Sequence, residues 1–191
     1  MYLPLIVLPL IASIISGLLG RKISREGSQI ITSLSIIMSC ILAIIGYYEI
    51  GLSNSGIRIN LSQWISSEIL LINWGILIDS LSISMIVTVL IISASVHIYS
   101  IGYMEQDPHN PRFFSYLSLF TFFMLLLVAG DNFLLIFIGW EGVGVCSYLL
   151  INFWFIRIEA NKAAIKALIM NRIGDWGYSI ALYTMAASCC S

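Results

Sequence analysis

The sequence predicts an all-α polytopic membrane protein of about six transmembrane helices, with a short β-hairpin as one reading of a segment on its outer face. Three observations carry that prediction. Hydrophobic residues make up 59% of the 191 residues and charged ones only 10%, and the mean hydropathy is +0.97, far from a soluble composition. Apolar runs recur at about the 20 residues that a helix needs to cross a hydrocarbon core roughly 30 Å thick. The links between them are short and rich in Pro, Gly, Asn, Asp or basic residues, which leaves little sequence for a soluble domain. The net charge of -1 comes with no basic stripe, so no nucleic-acid partner is expected. Cys40 and Cys146 lie in apolar runs and Cys189 adjoins Cys190, which is neither a metal-ligand spacing nor a disulfide framework. No metal site is expected.

Residues 3–19 are nearly all apolar and lack the basic flank of a cleavable signal, so they read as a first, retained span. Arg21, Lys22 and Arg25 follow, then a second apolar run over 30–50. Positive links stay on the inner side, which places the N-terminus outside. Over 51–75 the character changes: Asn54, Ser55 and Gly56 precede an imperfect alternation through Ile57, Ile59 and Leu61, and a second apolar stretch covers 69–72. Either a hairpin on the outer surface or an interfacial amphipathic segment fits, with Trp64 and Trp74 suited to headgroup depth.

Asp79 with Ser80 reads as the cap of a third span over 81–103. His97 falls in its last third, where a histidine serves either as a hydrogen-bonded packing residue or as a proton relay. Asp107-Pro108-His109-Asn110-Pro111 ends that helix and prepares a fourth span over 113–129. Gly130-Asp131-Asn132 is an outer turn with Asp131 as candidate N-cap of a fifth span over 133–155. Arg157 and Glu159 form an inner link, and a last helix runs from about residue 160 onward. Under this topology Arg21, Lys22, Arg25, Arg112, Arg157, Lys162 and Lys166 lie at the inner side against Arg58 outside. The chain divides into two N-terminal spans (1–50), an outer-face segment (51–78) and a helix bundle (79–191).

Within the fifth span, Glu141 is the one residue of charged type before Arg157. It lies about 12 Å along the helix from Phe133, deep in hydrocarbon. An intramembrane carboxylate is expensive, faces the bundle interior and often marks an ion or proton path. Desolvation favours its neutral form and a positive partner its charged form, so it can exchange a proton. Gly139, Gly142 and Gly144 remove side chains around it and let a neighbouring helix or water approach. The bland alternative is a protonated glutamate acting only as interhelical glue.

In the last helix a turn of about 100° per residue puts Asn171, Arg172 and Asp175 on one side, with Lys162 and Lys166 roughly opposite. The lysines sit in the first turns and can snorkel to the interface. Asp175 lies about 21 Å along this helix, and its three-residue spacing from Arg172 allows the two to pair, either as a structural clamp or on a proton path.

The Gly139-Trp140-Glu141-Gly142-Val143-Gly144 motif resembles the chain 5 family of mitochondrial NADH:ubiquinone oxidoreductase, respiratory complex I. So do Cys146-Ser147-Tyr148-Leu149-Leu150-Ile151, Asn161-Lys162-Ala163-Ala164 and Asn171-Arg172-Ile173-Gly174-Asp175. Ile78-Asp79-Ser80-Leu81-Ser82, Gly102-Tyr103-Met104 and Arg112-Phe113-Phe114 fit the same family, so the likeness runs from about Asp79 to Asp175. The resemblance implies an antiporter-like subunit of the inner-membrane arm that helps move protons out of the matrix. On it, Glu141 matches a carboxylate coupled to a lysine of a later helix, Arg172 and Asp175 match polar residues nearby, and Lys162 and Lys166 occupy family positions near the inner end. Lys166, and His97 from the reading of its own span, complete the candidate path. It implies no cofactor in this chain: NAD, FMN, iron-sulfur clusters and ubiquinone would be bound by other subunits. The implied partners are other membrane-arm subunits, lipids such as cardiolipin, and a continuation or separate polypeptide bearing the remaining helices, since family members are longer and this bundle reads as truncated. The rival readings are a subunit of a multisubunit sodium/proton antiporter and a non-pumping structural scaffold.

Overall fold

The computed structural model describes residues 2–20, 22–51, 53, 56–66 and 71–190. Arg21, Asn54, Ser55, Ile69 and Ser191, which entered the reading of the links and the chain end, lie outside the described residues. Among the described residues six long helices and one hairpin are formed: α1 (Tyr2–Leu19), α2 (Arg25–Gly46, continued by a π-helical turn, Tyr47–Gly51), β1 (Ile57–Ser66), β2 (Leu71–Ile78), α3 (Ser80–Tyr103), α4 (Asn110–Ala129), α5 (Phe133–Ile151) and α6 (Ile158–Cys190). The helices α1 to α5 are long and apolar enough to cross a membrane, two of them together with the short turn that extends them.

Polar residues inside these helices are accommodated locally. Thr32 donates to the Ser28 carbonyl, Ser33 to Gln29, Ser39 to Ser35 and Ser100 to Val96. A hydroxyl that bonds one turn back brings its own partner into hydrocarbon, so a serine-rich span costs little to bury. Pro9 lies buried inside α1, and membrane helices tolerate such a proline where neighbouring helices or local adjustment re-satisfy the freed backbone.

The core lies among α1 to α4 and the hairpin: Leu5 and Ile6 from α1, Ile36 and Ala43 from α2, Ile83, Ile86 and Leu90 from α3, Leu125 and Ala129 from α4, with Ile76 and Ile78 from β2. Serine also enters the α1–α4 seam, where Ser115 donates to the Ser13 carbonyl at 2.8 Å. α5 then packs on α4, and α6 on α5.

The segment before α3 is a two-stranded antiparallel hairpin, with Ile57 opposite Ile78 and Ile59 opposite Ile76. Its register shifts twice, between Asn60 and Ser62 and again between Gln63 and Ile65. An extra residue at each bulge breaks the period of two, which is why the alternation stops after Ile59 and leaves Leu61 half-exposed. Trp64 and Trp74 meet at 5.1 Å between ring centroids.

Asp79 caps α3 as its sequence predicts. Its Oδ1 accepts the Ser82 N–H at 2.7 Å while the Ser82 hydroxyl accepts the Asp79 N–H at 2.8 Å, a reciprocal capping box. Hydrogen bonding from the Ser82 backbone first, and from its side chain second, holds the Asp79 carboxyl below the usual carboxylate range, against the opposing effect of its partial burial.

Asp131 does not cap α5, contrary to the expectation from the turn sequence. The N-cap is Asn132, which makes no side-chain cap bond, and the Asp131 carboxylate instead accepts Arg58 Nη2 at 2.7 Å and Nε at 3.1 Å. A guanidinium offers charge as well as two donors, and outcompetes a single backbone N–H. The Asp131 N–H bonds the Gly75 carbonyl at 3.2 Å, Asn132 Nδ2 bonds the Asn73 carbonyl at 2.7 Å, and Ile76 bridges Gly130. The hairpin is thereby tied to the α4–α5 turn. At the other end α5 stops at Ile151, earlier than the apolar run through Phe155, and a 3₁₀ turn (Asn152–Trp154) leads to α6.

Candidate functional site

α5 has two differently used faces. A Cβ at Gly139 would stand 2.7 Å from the Leu127 nitrogen and 2.8 Å from its Cα, and one at Gly142 would overlap the edge of the Phe123 ring. Absence of side chains at these two positions is what lets α4 approach so closely. Trp140, Glu141 and Gly144 lie on the neighbouring stripe, three and four residues apart, and meet α6. At Gly144 the Asn171 amide moves in, 3.2 Å from where a Cβ would be.

α6 runs antiparallel to α5, and contacts follow in register along the seam. Tyr178 stacks on Phe137 at 5.4 Å, and its hydroxyl donates to the Phe133 carbonyl at 2.9 Å. One turn on, the Trp140 indole Nε1–H donates to Asp175 Oδ1 at 3.0 Å. Arg172 Nη1 donates to Glu141 Oε1 at 2.9 Å. Glu141 thus has a positive partner within this chain, and the partner is Arg172. The pairing of Arg172 with Asp175 expected from their spacing is not made: Asp175 is taken by Trp140 while Arg172 reaches across the helix interface. Asp175 is 6% exposed and the Glu141 side chain 29%, whereas the Arg172 side chain is 69% exposed.

Between the two helices lies a cavity of about 20 Å³, lined in part by Trp140, Glu141, Gly144, Asn171, Arg172 and Asp175. That is room for about one water molecule, among enough polar groups to bind it. A wider groove of about 500 Å³ continues along Glu141, Arg172, Asp175 and Ser179. Two acids, a guanidinium and an amide therefore converge on a space of water size, in an otherwise apolar helix pair. Such an arrangement can seat a water molecule against the Glu141–Arg172 pair and Asp175.

The other candidates do not join this cluster. His97 is buried between α3 and α4, with Nδ1 2.8 Å from the Ser93 carbonyl, Nε2 3.4 Å from Ser118 Oγ and its ring beside Phe114. Its contacts are those of a hydrogen-bonded packing residue, and none reaches α5 or α6. Lys166 is exposed on another stripe of α6 with Ile165, Ile169 and Met170, away from Glu141. Lys162 pairs with Glu159 at 3.1 Å, both side chains largely in solvent. Trp140 escaped a reading based on charge because an indole carries none; its place beside Glu141 in a glycine-flanked motif was the available signal.

Two family models match the chain. Residues 64–114 match the N-terminus of NADH-ubiquinone oxidoreductase (complex I) chain 5, and residues 130–188, which contain the α5–α6 site, match the transmembrane family of NADH:quinone oxidoreductase and Mrp antiporters. NADH-ubiquinone oxidoreductase chain 5 of Rhizopus stolonifer is 60% identical over 185 residues, and those of Mycosarcoma maydis and Talaromyces marneffei are 57% and 56% identical. Each alignment covers 97% of this chain but only 27% or 28% of the relative, so the chain spans little more than a quarter of the length of the proteins it matches. With both models in chain order and this identity along almost all of its length, the chain belongs to the NADH-ubiquinone oxidoreductase chain 5 family.

Proposed function

We propose that this chain forms the opening part of an antiporter-like, proton-translocating subunit in the membrane arm of respiratory complex I, with Glu141 as a switching carboxylate. The observation that carries the reading is the Glu141–Arg172 pair at 2.9 Å between two helices that bury Asp175 beside it. In the charged state Glu141 is held by Arg172; in the neutral state it has taken a proton and the guanidinium is released. Each change moves one proton to or from the water-sized space between α5 and α6, and a low effective dielectric makes a nearby charge strong enough to drive it. The lysine that the family resemblance implies would act on the same carboxylate from the continuation of the fold.

On this reading the redox chemistry with NAD, FMN, iron-sulfur clusters and ubiquinone belongs to other subunits. The partners are those subunits, the remaining helices of the full protein and lipids such as cardiolipin. The membrane is the mitochondrial inner membrane. Lys22, Arg25, Arg112 and Arg157, set against Arg58, favour an N-terminus on the intermembrane-space side. His97 and Lys166 stand outside the primary switch.

The test is Glu141→Gln in the full-length subunit within the assembled complex. Proton-coupled NADH:ubiquinone turnover is expected to fall at least about a hundredfold, the low side of what loss of a proton-transferring group costs, with assembly intact. Wild-type turnover refutes the reading, and normal turnover in whatever complex still forms, with assembly itself impaired, supports a scaffold instead. The second family model also describes antiporters, which favours a sodium/proton antiporter as the alternative. Co-purification without flavin and iron-sulfur subunits would support that alternative.

A further inference from the structure

Arg172 has two acids within its reach. Asp175 is three residues along the same helix, at a spacing where Arg and Asp side chains meet readily, and Glu141 lies across the interface. A single guanidinium serving Asp175 would leave Glu141 without its cation. The structure shows the opposite allocation: Asp175, 6% exposed, takes the neutral indole N–H of Trp140 at 3.0 Å, and Arg172 goes to Glu141 at 2.9 Å. Trp140 precedes Glu141 in sequence and both meet α6, so one short stretch of α5 backbone presents the donor for Asp175 and the acceptor for Arg172 at once. An indole N–H only donates. It can hold a carboxylate but cannot carry a proton away from it, so it fixes Asp175 without opening a leak.

We propose that Trp140 is a positioning residue: by holding Asp175 against α5 it reserves Arg172 for Glu141. The proposal rests on the reading of Glu141 as a switching carboxylate. It adds a residue without charge to that switch and gives Asp175 the role of a held acceptor that must be kept from competing for Arg172.

The test uses the full-length subunit in the assembled complex and follows proton-coupled NADH:ubiquinone turnover in Trp140→Phe, Trp140→His and Asp175→Ala, with Trp140→Phe also placed in the Asp175→Ala background. Trp140→Phe is expected to slow turnover roughly three- to tenfold, in keeping with a lost hydrogen bond to a charged group that acts at second hand. Trp140→His, which keeps a ring N–H, should recover at least about half of the wild-type rate. With Asp175 already removed there is no competitor left, so Trp140→Phe should cause no further loss, whereas independent effects would multiply. Multiplicative losses, or a histidine variant that assembles yet is as slow as Glu141→Gln, overturn the proposal; the histidine variant keeps it decidable if the phenylalanine variant does not assemble. Wild-type turnover in Trp140→Phe alongside slow Glu141→Gln overturns this inference and leaves the Glu141 reading standing. Fast turnover in Glu141→Gln removes that reading and this inference together.

Discussion

Gly139→Ala is the substitution whose effect follows most directly from the geometry. The new methyl carbon would stand 2.7 Å from the Leu127 nitrogen and 2.8 Å from its Cα and Cβ. Non-bonded carbons settle at about 3.5–4.0 Å, so α4 and α5 must separate by about 1 Å where they touch. The nearest atoms belong mainly to backbone and cannot swing aside. Overpacking of this kind costs about 1–3 kcal/mol, and the higher helix propensity of alanine returns up to about 1 kcal/mol. A net loss of about 1–2 kcal/mol is expected, measured as the shift in the unfolding transition of the full-length subunit in detergent. Gly102→Ala is the control: nothing lies within 4 Å of that position, at the end of α3, so it should be neutral or stabilising. A Gly139→Ala protein as stable as the Gly102→Ala protein would refute the close approach of α4 and α5.

Three further outcomes follow from the same geometry. Arg58→Ala should destabilise by about 1 kcal/mol, the upper end for an exposed pair, because the Asp131 side chain it leaves behind is only 8% exposed; faster amide exchange at Asp131, whose N–H bonds Gly75, is the readout. Asp79→Ala should cost about 0.5–2 kcal/mol at neutral pH, as loss of an N-cap does. Since the folded Asp79 carboxyl lies below its ordinary range, the cap stabilises fully above that range and fades as pH falls through the lowered value, so unfolding curves of the two proteins should converge in acid. Arg172→Gln should slow proton-coupled turnover about as much as Glu141→Gln, with the double variant no slower than either, whereas Lys166→Gln, outside the cluster, should act less; multiplicative losses in the double variant would separate the two residues.

The helices were legible in the sequence because burial in lipid demands long apolar runs, and their ends were legible where chemistry is local. Asp79 and the Pro108–Pro111 link act within a few residues of themselves, and each behaves as its sequence implies, although the reciprocal partner of Asp79 is Ser82 and not the adjacent Ser80. The hairpin was only half legible, since two bulges interrupt its alternation after Ile59. Partners across helices were not legible. Helical periodicity shows that Arg172 and Asp175 share a face, but the antiparallel register of α5 against α6 decides that Arg172 meets Glu141 and Asp175 meets Trp140. Asp131 was misread for the same reason: the sequence displays a cap position, while Arg58, 73 residues away, supplies the stronger donor.

The central claim is that Glu141 alternates between a charged state paired with Arg172 and a neutral one. The most direct measurement is the infrared difference spectrum of the complex on initiating turnover with NADH, compared between wild type and Glu141→Gln. The account predicts a protonated-carboxyl band that rises and decays during wild-type turnover and is missing from the variant. The same difference spectrum in both proteins would contradict it.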